Sequence, residues 1–123
     1  MEISTQEFKD VELIAITGRV DSVQAERLAS ALEAARRRGK YKIVVAMSQV
    51  EYMSSAGFRA LGDAQRKSRN HQRGEVVLAN VPPQIHEALE MVGFTDYFHI
   101  EDTVSAALAF AENLSEGDSA SKV

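Results

Sequence analysis

The apolar positions of this chain change period several times, and each change marks an element. Ile3 to Phe8 is short and mixed and predicts an edge strand, and Lys9-Asp10 turns the chain. Val11 to Thr17 (VELIAIT) predicts a second strand, close enough to the first to pair with it as an antiparallel hairpin. Gly18-Arg19-Val20-Asp21 is expected to lead out of that strand. From Ser22 the period becomes helical, with Ala25, Leu28, Ala29, Leu32 and Ala35 on one face. Asp21 or Ser22 suits the N-cap, and Gln24 stands three residues after Asp21, as in a capping box. Arg36-Arg37-Arg38-Gly39 closes the helix, with basic residues in the last turn and Gly beyond.

Lys42 to Met47 (KIVVAM) is a continuous apolar run, the pattern of a central strand covered on both faces. After it, Ala60, Leu61 and Ala64 form a narrow apolar stripe that predicts a helix from Ala56 to about Asn70. Arg59, Arg66, Lys67, Arg69 and Arg73 make its outer side basic, most simply a solvated face. Glu75 to Ala79 (EVVLA) is another buried strand, followed by the loop Asn80-Val81-Pro82-Pro83, where Pro83 suits a first helical turn. Ile85, Ala88, Leu89 and Val92 share a helical face that Gly93 stops. Tyr97 to Ile100 reads as a last short strand, and Thr103 as the cap of a final helix carrying Val104, Ala107, Leu108 and Ala111. Ser115 to Val123 is polar and aperiodic and predicts a flexible tail. Strand and helix alternate after Val11, which implies right-handed crossovers. The expected fold is α/β: one domain over residues 1–114, with a mixed, mostly parallel β-sheet, an N-terminal antiparallel hairpin and about four α-helices.

Composition narrows the function more than it identifies it. The chain has 123 residues, 45% hydrophobic and 26% charged, which fits a folded domain with its own core. It has no Cys, which excludes disulfides, thiol catalysis and zinc–thiolate sites. A net charge of −4 and the absence of Trp argue against a general nucleic-acid binder. No apolar run is long enough for a bilayer, and MEISTQEFKD does not read as a secretory signal, so the expected location is the cytoplasm. Catalytic patterns are missing as well. There is no phosphate-binding glycine loop, and Ser54-Ser55 lacks the Gly-x-Ser-x-Gly frame. His71, His86 and His99 have no metal-ligand spacing, and His86 with Glu90 reads as two exposed residues one helical turn apart. A serine hydrolase would need a His and an acid converging on Ser55. No enzyme activity, cofactor or metal is expected.

The informative stretch is Val50 to Leu61, VEYMSSAGFRAL, where two hydroxyls and two very small residues open a helix. One reading is structural: Ser54 or Ser55 caps the helix, while Ala56 and Gly57 let it pack close to the sheet. The other reading is functional. The exit of a central strand is where α/β folds present reactive groups, and a helix N-terminus accepts a phosphate well. A phosphorylated serine would add about −1.5 to −2 charges at that surface. Asp21 likewise reads equally as a helix cap or as part of such a switch.

These residues resemble the signature of the STAS domain family, typified by bacterial anti-sigma factor antagonists. The family pattern runs from an apolar strand, through Asp-Leu-Ser, a spacer and an aromatic or apolar pair, to Asp/Ser-Ser-Ser/Thr/Ala-Gly-Leu and a helix, and here it reads Val44 to Phe58. Gly18-Arg19-Val20-Asp21 resembles the family's Gly-x-apolar-Asp loop. Val81-Pro82-Pro83-Gln84 and Leu89-Glu90-Met91-Val92-Gly93-Phe94 resemble its late helix and following turn, and Phe98-His99-Ile100 its end. Two positions depart from the pattern: Ser54 stands where an acid often precedes the phosphoacceptor, and Ala46 where an acid usually ends the central strand.

The resemblance implies a non-enzymatic regulator of sigma-factor-dependent transcription that switches partners. Its unphosphorylated form would bind an ATP-dependent anti-sigma factor that is also a serine kinase. Phosphorylation of Ser55, with Ser54 as the alternative acceptor, would release it, and a phosphatase would restore it. The implied partner-binding residues are Asp21, Ser54, Ser55, Ala56, Gly57, Phe58, Arg59 and Gly62, with Phe58, Arg59 and Gly62 on the exposed side of their helix. The alternatives are a scaffold of the same fold that is never phosphorylated, and a sensor that holds a nucleotide or lipid near Ser54 and Asp21. No nucleic acid or membrane is expected as partner, and the chain is expected to be a monomer or a weak homodimer paired through its edge strand.

Overall fold

The computed structural model describes residues 1–71 and 73–114. Along them run β1 (Glu2–Phe8), β2 (Val11–Val20), α1 (Ser22–Arg37), β3 (Lys42–Met53), α2 (Ser55–Arg69), β4 (Glu75–Ala79), α3 (Pro83–Met91), β5 (His99–Glu101) and α4 (Val104–Asn113). The expected tail, Ser115 to Val123, lies outside the described residues.

The strands form one sheet in the order β1-β2-β3-β4-β5, antiparallel between β1 and β2 and parallel from β2 onward. Strand order follows chain order, so each right-handed crossover carries its helix to the same face of the sheet. Accordingly α1, α2 and α3 pack together over Ile14, Ile16, Ile43, Val45, Met47, Val76 and Leu78. Beyond β5 the chain crosses to the other face, where α4 lays Ala107 and Ala111 over Val11, Val44, Val77 and Ala79. The apolar run of β3 thus has cores on both sides, as its composition predicts.

Two strands run further than their patterns suggest. The chain does not leave β2 at Gly18, nor β3 at Met47; they continue paired to Val20 and Met53. Ala15 pairs with Ala46 but Thr17 with Gln49, and Gly18 pairs with Val50 but Arg19 with Tyr52. Each shift places two residues of β3 opposite one of β2, the definition of a bulge. As a result Met47, Val50 and Met53 are buried every third residue, and the two-residue alternation that identifies a strand is lost. β4 ends at Ala79, opposite Ala46, so this extension stands clear of it as a two-stranded ribbon.

The last strand is His99–Glu101 rather than Tyr97 to Ile100. The Tyr97 amide donates to Phe94 O within a turn, and its carbonyl accepts from the Gln65 side chain on α2 at 2.9 Å. That segment closes the helical layer before the chain joins the sheet.

Candidate functional site

The β2–β3 ribbon delivers two helix starts side by side. Val20 pairs with Met53 at its end, and the Ser54 amide donates to Val20 O at 2.8 Å. Asp21 and Ser54 are the next residues on the two strands, so α1 and α2 begin as neighbours. Both are N-caps with extended backbone: Asp21 Oδ1 accepts from the Gln24 amide at 2.8 Å, and Ser54 Oγ from the Gly57 amide at 3.2 Å. The capping box at Asp21 is only half closed, because the Gln24 side-chain oxygen accepts from Arg27 Nη1 at 2.7 Å instead. Two positive helix ends therefore converge at one pole of the molecule.

The two serines have different environments. Ser54 is 8% exposed and its hydroxyl is committed to the cap, whereas Ser55, the first residue of α2, is exposed. The structural reading of the pair therefore fits Ser54, whose oxygen is the cap, while Ser55 takes no part in the capping bond. Ser54→Ala is expected to cost about 1 kcal/mol, seen as a lower melting temperature, because it removes a cap. Ser55→Ala should stay within about 0.5 kcal/mol of the parent. Equal losses in thermal melts would contradict this division.

Small residues set how closely α2 approaches. A Cβ on Gly57 would lie 2.7 Å from Met53 Cγ and 3.1 Å from Val20 Cγ1, so the helix start is pressed against the ribbon's end. Gly62 lies under the Phe94 ring, with only 3.0 Å between Cζ and an added Cβ.

Here an expectation fails. Phe58 and Gly62 are not on an exposed side of the helix: Phe58 is 6% exposed, and Gly57 and Gly62 are buried too. The buried stripe of α2 is broader than Ala60, Leu61 and Ala64, because the helix packs against α1, the sheet and the α3–β5 turn together. Of the eight partner-binding candidates, Asp21, Ser55 and Arg59 are exposed and Ala56 is half-buried, while Ser54, Gly57, Phe58 and Gly62 shape the scaffold beneath them.

Three residues at this pole escape the sequence reading. Val23, in the first turn of α1, is 69% exposed, and Tyr52 at the end of β3 is 41% exposed. The Arg19 guanidinium lies 4.5 Å from the Tyr52 ring centroid across the ribbon. Val23 carries a signal, since it is apolar yet off the stripe of Ala25, Leu28 and Leu32. The Arg19–Tyr52 contact depends on the bulged register and has none.

Among the described residues no three His, Asp or Glu gather as a metal site, and no helix is long and apolar enough to cross a membrane.

The profile of the STAS domain matches residues 2–107. The chain belongs to the STAS domain family. A Bordetella bronchiseptica protein that carries the name anti-sigma factor antagonist BtrV is 29% identical over 109 residues, 89% of this chain and 93% of that protein. Among solved structures, a Thermotoga maritima protein that carries the name anti-sigma factor antagonist superposes with a TM-score of 0.82 at 16% identity, covering 89% of this chain and 94% of that one. The Bacillus cell fate determinant SpoIIAA in its phosphorylated form gives 0.71 at 16% identity, covering 88% and 97%. At such identities the superpositions show a shared fold.

Proposed function

We propose that this STAS domain is an anti-sigma factor antagonist. It binds a kinase-type anti-sigma factor while Ser55 is unmodified, and leaves it once Ser55 is phosphorylated, thereby controlling sigma-factor-dependent transcription in the cytoplasm. The observation that carries the reading is the exposed Ser55 at the first position of α2, next to the buried cap of Ser54. The names of the relatives support the partner class.

The chemistry is supplied by the partner. The γ-phosphoryl group of its ATP passes to Ser55 Oγ, the bond to ADP breaks, and the hydroxyl proton leaves to a base of the kinase. The product sits at a helix N-terminus, where unpaired amides and the positive end of the dipole tolerate a dianion. Backbone bonds from Ser54 to Val20 and from Phe58 to Ser54, at 2.8 and 3.1 Å, hold the junction independently of the Ser55 side chain. The surface thus changes charge while its support does not. A partner packed over Asp21, Ser55 and Arg59 then meets a dianion that it must desolvate or repel. A phosphatase reverses the change.

The test is intact-mass analysis after incubation with the cognate kinase and ATP. One added phosphate is expected on the parent and on Ser54→Ala, and none on Ser55→Ala. Phosphate lost in Ser54→Ala but kept in Ser55→Ala would move the site. Neither serine accepting phosphate would leave a permanently bound scaffold as the better reading.

A further inference from the structure

Four cations lie along α2, and three have partners. Arg66 approaches Asp63 at 3.7 Å, and Lys67 approaches Glu33 of α1 at 3.9 Å. Arg69 holds the Glu75 carboxylate through two nitrogens at 3.2 and 3.0 Å and lies 5.2 Å from the Tyr97 ring centroid. Among the described residues, Arg59 makes no ion pair, hydrogen bond or ring contact, and it is exposed. It stands four residues after Ser55. Residues at this spacing share a helix face, and long side chains lean back toward the N-terminus over the residue one turn earlier. Asp63, four residues further on, would compete for Arg59, but its carboxylate is turned to Arg66.

We propose that Arg59 is the built-in receptor of the Ser55 phosphate. An anion followed four residues later by a cation is the favourable order on a helix, and a guanidinium can grip phosphate through two nitrogens. The Asp21 carboxylate on the neighbouring cap repels a dianion and turns it along α2 toward Arg59. Two further cations near this pole are engaged: the Arg19 guanidinium rests on Tyr52, and Arg27 donates to Met1 O and to Gln24 Oε1. Modification therefore alters the surface twice: it adds negative charge, and it withdraws a cation that in the unmodified protein is open to a carboxylate of the partner. This inference rests on the phosphorylation reading of Ser55 and names the residue that completes it.

The experiment needs no kinase. Phosphoserine is placed at position 55 of the full chain during translation, and the second phosphate ionisation is followed by phosphorus NMR. A nearby cation favours the dianion, so the midpoint should lie below the ordinary value near 6. In Arg59→Gln it should rise by roughly 0.2 to 0.4 pH unit at low salt, and the difference should shrink at high salt. Arg59→Lys should keep part of the effect, and Arg19→Gln should leave the midpoint unchanged. An identical midpoint with and without Arg59, or a rise in Arg19→Gln of the size expected for Arg59→Gln, would overturn the proposal. A midpoint shift combined with kinase inactivity on Ser55 would sink the phosphorylation reading while leaving the pair intact; kinase activity without the shift would do the reverse.

Discussion

Gln65→Leu is expected to destabilise the domain by about 3 kcal/mol, a drop on the order of 10 °C in melting temperature. Gln65 is fully buried on α2 and uses both ends of its amide. Its oxygen accepts from the Val76 amide at 2.7 Å, where β4 begins before β5 can pair with it. Its nitrogen donates to Tyr97 O at 2.9 Å and to Glu75 Oε2 at 3.1 Å. One side chain thus ties α2 to the start of β4 and to the turn before β5. Leucine fits the space but strands the Val76 amide and the Tyr97 carbonyl, and each unsatisfied buried group costs about 1 to 3 kcal/mol. A stable domain has only about 5 to 15 kcal/mol in total. Denaturant unfolding measures the loss; a change under about 1 kcal/mol would show that the network is dispensable.

Gly74→Ala should cost as much, for a steric reason. A Cβ at Gly74 would stand 1.9 Å from Ser68 O and 2.7 Å from Ser68 C. Both are backbone atoms, and that oxygen accepts the His71 amide at 3.0 Å. No rotamer change relieves the overlap, so either the end of α2 or the start of β4 must move. Overpacking of this kind costs about 1 to 3 kcal/mol and sometimes more, and here the upper end is expected. Amide exchange should speed up in the last turn of α2 and in β4, while the ribbon that carries Ser54 stays protected. Parent-like stability and exchange would contradict the close approach.

Much of this architecture is legible in the sequence, because strands with continuous or alternating apolar runs and helices with capped stripes announce themselves. Val44 and Val77 face one core while Val45 and Leu78 face the other, and the unbroken apolar runs of β3 and β4 encode that double burial. The sequence is least informative where a tertiary effect breaks the period. Two bulges turn the end of β3 into a three-residue repeat, so the ribbon to Val20 and Met53 reads as loop. Gln65 and Ser68 are fully buried polar residues in the α2 stripe, so the stripe looks narrower than it is and Phe58 and Gly62 appear to face outward. At the site, the serine pair and Asp21 stand out from the chain alone. Their adjacency becomes visible only through the Val20–Met53 pairing, and the different environments of Ser54 and Ser55 only through burial.

The central claim is that negative charge at position 55 dismisses the partner without disturbing the domain. Calorimetric titration of the anti-sigma factor with Ser55→Asp, alongside the parent, tests it most directly. Affinity should fall at least about 100-fold, the scale expected when an uncompensated charge is forced into an interface. The melting temperature should stay within about 2 °C of the parent, as expected for a surface substitution. Unchanged affinity, or a loss that appears only together with unfolding, would contradict the account.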